Sequence, residues 1–170
     1  MKKFVIILSM SMVLIGSIYI YIQYNLDRYS VYYASHMPRK EGAKPELVMA
    51  LENIYFIDKP NTENVHFDEA ETSSIYIDKN AYFTYFYKEY YLGMSKKNGL
   101  YFFNTDSTGK FVNYSSIVDN KNEEPLGKEM LQEIEGIVTP ATEDLIKAQK
   151  IPTINLQGLF NQKYEARFNE

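Results

Sequence analysis

The chain has 170 residues, with 18 basic and 22 acidic side chains for a net charge of −4, and it has no cysteine. That balance argues against nucleic acid as a partner, because binding a polyphosphate needs clustered positive charge to displace counterions. Without cysteine there is no disulfide, thiolate nucleophile or lipid-modified cysteine, so stability rests on an apolar core, which a chain of this length can build.

The first element is the run FVIILSMSMVLIGSIYIYI, residues 4–22, beginning at Phe4 and ending at Ile22 with no charge and no proline. As a helix it spans about 28 Å, close to the roughly 30 Å hydrocarbon core of a bilayer. Lys2 and Lys3 precede it and Gln23, Tyr24, Asn25 and Leu26 follow, with no small-x-small cleavage pattern at the junction. A signal peptide usually has an apolar region of about 7–15 residues, so the run is read as an uncleaved anchor after a three-residue cytoplasmic tail. The membrane is therefore an expected partner through residues 4–22. The two lysines place the domain outside the cytoplasm by the positive-inside rule, weakened by Arg28, Arg39, Lys40 and Lys44 on the other side. Tyr19, Tyr21 and Tyr24 suit the headgroup level. Cleavage is the alternative, and it would release a secreted module.

Residues 23–43 are read as a juxtamembrane stalk, in which Leu26, Tyr29 and Tyr33 continue a helical spacing until Pro38. The domain then covers residues 44–170. Pro45 suits the first position of a short helix over 45–52, and residues 54–57 predict a strand. Val65, His66 and Phe67 predict another, as do residues 74–77, followed by a turn at Asp78, Lys79 and Asn80.

Residues 82–103 hold ten tyrosines and phenylalanines in twenty-two positions. Residues 82–92 read as one long strand, bulged near Lys88 and Glu89, with residues 100–104 as its partner across an Asn98-Gly99 turn. Asp106 to Gly109 makes the next turn, and residues 111–118 return as a third strand. The period then changes: Leu126, Met130, Ile134 and Ile137 share a helix face. A second helix is expected to begin with Thr139 as N-cap and Pro140 as first residue. Residues 154–156 predict a late strand and 159–168 a final helix. The fold class is α+β: an N-terminal transmembrane helix, then one antiparallel meander with helices on one face.

Few residues carry candidate chemistry. His66 with Asp68, Glu69 and Glu71 is where a histidine meets several carboxylates, yet a strand brings together at most two of them, too few for a metal. Asn104, Asp106 and Thr108 resemble the start of a calcium loop, but Ser115 stands where the closing glutamate belongs. Gly109-Lys110 lacks the other residues of a phosphate loop, and no serine stands in a nucleophile elbow. Glu123-Glu124 and Glu143-Asp144 are read as helix-start carboxylates. No cofactor is expected.

The aromatic strand carries most of the functional reading. Both of its faces are aromatic, and tyrosine is favoured at interfaces. Tyr85, Tyr87 and Tyr91, at even spacing on one strand, are the candidate binding group. The expected function is a membrane-anchored, envelope-exposed protein of the inhibitor, immunity or assembly-factor type that binds a protein partner. The alternative is a small hydrolase using His66 and its acidic neighbours.

Overall fold

The computed structural model describes residues 2–68, 73–86, 89–117 and 121–169. It has an α+β fold: a long apolar N-terminal helix, an open sheet of seven antiparallel strands, and four further helices. The strands are β1 (Val65–His66), β2 (Ser74–Ile77), β3 (Ala81–Phe86), β4 (Glu89–Lys96), β5 (Gly99–Thr105), β6 (Phe111–Ser116) and β7 (Lys121–Pro125), and they lie side by side in chain order. The helices are α1 (Lys2–Arg28), α2 (Ser30–Ser35), α3 (Pro45–Glu52), α4 (Lys128–Lys147) and α5 (Gln157–Asn169).

Within α1, residues 6–28 form a helix long and apolar enough to cross a membrane, and none of its apolar window is buried. The segment expected as a stalk is folded into the domain. Leu26, Val31, Tyr33, Ala34 and Met37 are buried in the core. Backbone hydrogen bonds from Tyr29 to Asn25 and from Tyr33 to Tyr29 carry α1 almost directly into α2.

The sheet has a helix-covered face and a face that none of the described helices covers. Val65, Ile75, Ile77, Phe83, Leu92 and Phe103 project to the covered face and are fully buried with Ile134, Val138, Ala141 and Leu145 of α4. Each such valine, isoleucine, leucine or phenylalanine contributes on the order of 1.5–3 kcal/mol. That sum explains why α4 is one helix rather than two. Pro140 lies inside it, at a cost of about 3 kcal/mol, but the apolar stripe from Ile134 to Leu145 runs straight through and outweighs that cost. The expected helix start at Thr139 is corrected accordingly.

Other elements also differ from expectation. Residues 54–57 are a turn and not a strand, because the amides of Phe56 and Ile57 bond back to the Asn53 carbonyl and extend α3. Ile54 and Ile57 are both buried, a helical spacing. Residues 154–156 are not a strand, and Glu123 and Glu124 lie in β7, not at a helix start. Glu143 and Asp144 lie in the last turns of α4. The β4–β5 turn is centred on Lys97 and Asn98, and Gly99 opens β5 with φ of 131°.

The largest correction concerns residues 82–92. They are two strands, because Phe86 pairs with Glu89 and Tyr85 with Tyr90, so the chain reverses between Phe86 and Glu89.

Candidate functional site

That reversal separates the tyrosines grouped by sequence. Tyr85 shares the helix-covered face with its partner Tyr90, their ring centroids 4.7 Å apart, although it is 43% exposed at the sheet's end. Tyr91 pairs with Thr84 and projects from the other face. Tyr87 lies outside the described residues. Tyr85 and Tyr91 therefore cannot belong to one contact patch on one face.

A different set of rings comes together on the face that none of the described helices covers. His66 pairs with Tyr76, Tyr76 with Tyr82, Tyr82 with Gly93, Gly93 with Phe102 and Phe102 with Ser115. This is one unbroken row across six strands. At about 4.8 Å per strand, the stretch from His66 to Phe102 is roughly 19 Å long. His66 stacks on Tyr76 at 5.0 Å and 13°, and Tyr76 meets Tyr82 at 6.4 Å. Gly93 leaves room for the Tyr82 ring to lie across it. Tyr91 meets Phe102 edge-on at 5.9 Å. Burial raises the Tyr91 phenol above its ordinary pKa, and the nearby Tyr82 phenol adds to that rise.

The neighbouring row on this face runs Ser74, Thr84, Tyr91, Asn104 and Asn113, with side-chain hydrogen bonds on either side of the Tyr91 ring. Ser74 donates to Thr84 at 3.0 Å, and Asn104 donates to Asn113 at 2.7 Å. The result is a half-buried aromatic stripe beside a row of hydrogen-bonded polar side chains that includes Tyr91, with Phe86, 57% exposed, two residues beyond Thr84 on β3. Such a surface suits flat apolar contact with a few hydrogen bonds at the margin. Strand addition is less suited, since β1 is two residues long and β7 carries exposed Glu123 and Glu124 with Pro125.

Two of the four residues of the hydrolase reading are among the described ones. His66 is engaged by stacking on Tyr76, Asp68 is exposed, and Glu69 and Glu71 lie outside the described residues. Among the described residues, no group of three or more His, Asp or Glu side chains could hold a metal ion. His36 is 3.0 Å from the Ser35 hydroxyl, but that hydroxyl donates to the Tyr32 carbonyl and the ring packs on Tyr32. Asp106 serves its turn. Burial disfavours its charge, but bonds from the Thr108 hydroxyl and amide and the Lys110 amide win and hold its pKa below the usual range.

Sequence reasoning missed His66, Tyr76, Tyr82 and Phe102 as a group because they come from four strands. The alternation in β2, with Tyr76 between Ile75 and Ile77, is a local signal that Tyr76 faces away from the core. No known protein family, curated protein or solved structure matches this chain, so its own geometry must carry the functional reading.

Proposed function

We propose that this chain is a membrane-anchored binding protein, held by α1 with its domain outside the cytoplasm, and that it engages a protein partner through the aromatic sheet face that none of the described helices covers. The observation that carries this reading is the unbroken cross-strand row from His66 to Phe102. A helix-free face normally shows polar side chains to water, and rings concentrated there cost solubility unless something covers them. Tyrosine and phenylalanine at the centre of a contact are the residues that dominate binding energy. The contact group is thus Tyr76, Tyr82, Tyr91 and Phe102. Tyr85 lies on the other face.

The test is site-specific photo-cross-linking in native membranes. A photoreactive phenylalanine at Tyr82 or Tyr91 is expected to yield one discrete protein adduct, and the same residue at exposed Gln162 on α5 to yield none. Equal labelling at all three positions, or labelling at Gln162 alone, rejects the aromatic face as the contact. Alkaline carbonate extraction and protease accessibility test the anchor and its orientation separately.

A further inference from the structure

The junction between α1 and the domain leaves no spacer. Ile22, the last residue of the apolar run, already packs against the domain core, and Asn25 and Leu26 are buried. Three separate segments grip the helix just past that point. The Phe56 ring, beyond α3, meets Tyr24 edge-on at 6.2 Å. Asp58 pairs with Arg28 at 2.6 Å and with Lys150 at 3.7 Å. The Ile154 carbonyl accepts a bond from the Asn25 amide at 3.3 Å, and the Tyr33 hydroxyl oxygen stands 3.3 Å from it. On α5, Lys163 stands within electrostatic reach of Asp27 and Tyr19.

These gripping segments also carry exposed apolar side chains. Phe56 is 42% exposed, Ile154 50% and Ile151 76%, with Lys150 and Lys163 exposed beside them. Singly, such residues are ordinary on a protein surface. Here Phe56 and Ile154 belong to the segments that touch the helix at its point of exit, and Ile151 lies three residues from Ile154. Tyr24 is only about 3 Å along the helix from Ile22, whereas the headgroup layer is roughly 5–7 Å deep on each side. A helix that spans the bilayer with residues 4–22 therefore carries Phe56 and Ile154 into that layer. Aromatic and aliphatic side chains flanked by lysines suit the boundary between acyl chains and headgroups.

We infer that the base of the domain around Phe56, Ile151 and Ile154 is a membrane-docking surface that seats on the lipid headgroup layer and fixes the domain's tilt. This inference rests on the membrane-spanning reading of α1. The seating presents the aromatic sheet face at a set angle and height rather than on a swinging tether.

The sequence has no tryptophan, so single tryptophans report cleanly. The full chain is reconstituted in phosphatidylcholine vesicles with or without acyl-brominated phosphatidylcholine, as Phe56→Trp, Ile154→Trp, Leu14→Trp and Lys97→Trp variants. All four positions are exposed, so the fold tolerates the larger ring. Leu14 lies mid-span. Lys97 adjoins Lys96, which pairs with Glu133, about 21 Å along α4 from Lys147, and Gln149 just past that end bonds Asp58.

Tryptophan at positions 56 and 154 is expected to be quenched to roughly half the extent seen at position 14, and at position 97 hardly at all. Strong quenching at 14 with positions 56 and 154 as bright and iodide-accessible as 97 overturns the docking surface while the span stands. Iodide shielding at 56 and 154 without lipid quenching assigns the patch to a protein, a second copy included, and also overturns it. No quenching at 14 rejects the span, and the inference with it.

Discussion

The Tyr82 ring lies across the backbone of Gly93, so that a Cβ built on Gly93 would come within 2.4 Å of the Tyr82 Cζ. The two residues are direct cross-strand partners between β3 and β4. The ring covers backbone that glycine leaves bare and links Tyr76 to the Phe102 side of the stripe. In Gly93→Ala the atoms in conflict are at the far end of a mobile side chain, so the ring swings away and the strands stay paired. Stability is expected to change by less than about 1 kcal/mol, since the clash offsets the usual gain from replacing a strand glycine. The Gly93 α-protons should show an upfield ring-current shift in the parent protein, removed by Tyr82→Leu. A loss above about 3 kcal/mol in Gly93→Ala would mean that the ring cannot leave its seat.

A second relationship ties α5 to the sheet. The Tyr90 hydroxyl donates to Glu52, and Arg167 donates to Glu52 at 2.8 Å and to the Tyr90 oxygen at 3.1 Å. Burial, then the Glu52 carboxylate, push the Tyr90 phenol well above its ordinary 10.0, with Arg167 pulling the other way. A raised folded-state pKa gives stability that is fully present below the unfolded value and lost as pH rises through the folded one. The protein should therefore lose stability from about pH 10 upward. Tyr90→Phe removes the titrating group, so its stability should fall less steeply over that range, at a cost near neutral pH of about 1.5–3 kcal/mol for the bond to a charged acceptor. Urea titrations of both proteins between neutral and alkaline pH measure this, and parallel curves would reject it.

Pro140 lacks the amide that would complete the α4 ladder, and its ring crowds the carbonyl one turn back. Pro140→Ala restores that bond without touching the buried stripe of Ile134, Val138, Ala141 and Leu145. The expected result is a gain of about 1–2 kcal/mol, less than the full proline penalty because the half-buried ring also packs. Thermal denaturation in detergent micelles checks the sign. Destabilisation would show that a kink at Pro140 is needed to fit α4 to the sheet.

Elements with local chemistry were legible in the sequence. Pro45 marks α3, and the Asp106 turn closes with Gly109 at φ of 79°. The reversal between Phe86 and Glu89 was hidden because the segment Phe86-Tyr87-Lys88-Glu89 contains no glycine, proline, asparagine or aspartate to signal a turn. Missing it changes the parity of every later side chain, which is how Tyr85 and Tyr91 came to share an expected face. Residues 23–43 were misread for the opposite reason. Their helical spacing was visible, but what Asn25 and Tyr33 meet lies more than a hundred residues further on, at Ile154 and Phe160. The aromatic row could be read only once strand register brought four strands together.

The grip on α1 converges on Tyr33, which is fully buried. Its hydroxyl donates to the Asn25 side chain at 2.7 Å and accepts from the Leu156 amide at 3.1 Å, while the Ile154 carbonyl lies at 3.3 Å. Tyr33→Phe keeps the ring contact with Phe160, whose centroid is 5.3 Å away, but deletes the hydroxyl. Asn25, 2% exposed, and the Leu156 amide are then left without that partner, at a cost of about 1–3 kcal/mol. Asn25→Leu should cost a similar amount by itself. If the two groups act as one unit, the double variant should fall short of the sum by at least about 0.5 kcal/mol, because each single change already spoils the same bond. The variants should also widen the distribution of distances between a spin label at Ile18 and one at Glu165, measured by pulsed electron paramagnetic resonance in lipid nanodiscs. Additive costs, with a distance distribution unchanged in all three variants, would show that the joint is held by apolar packing at Leu26 and Val31 and that the Tyr33 hydroxyl contributes little to its rigidity.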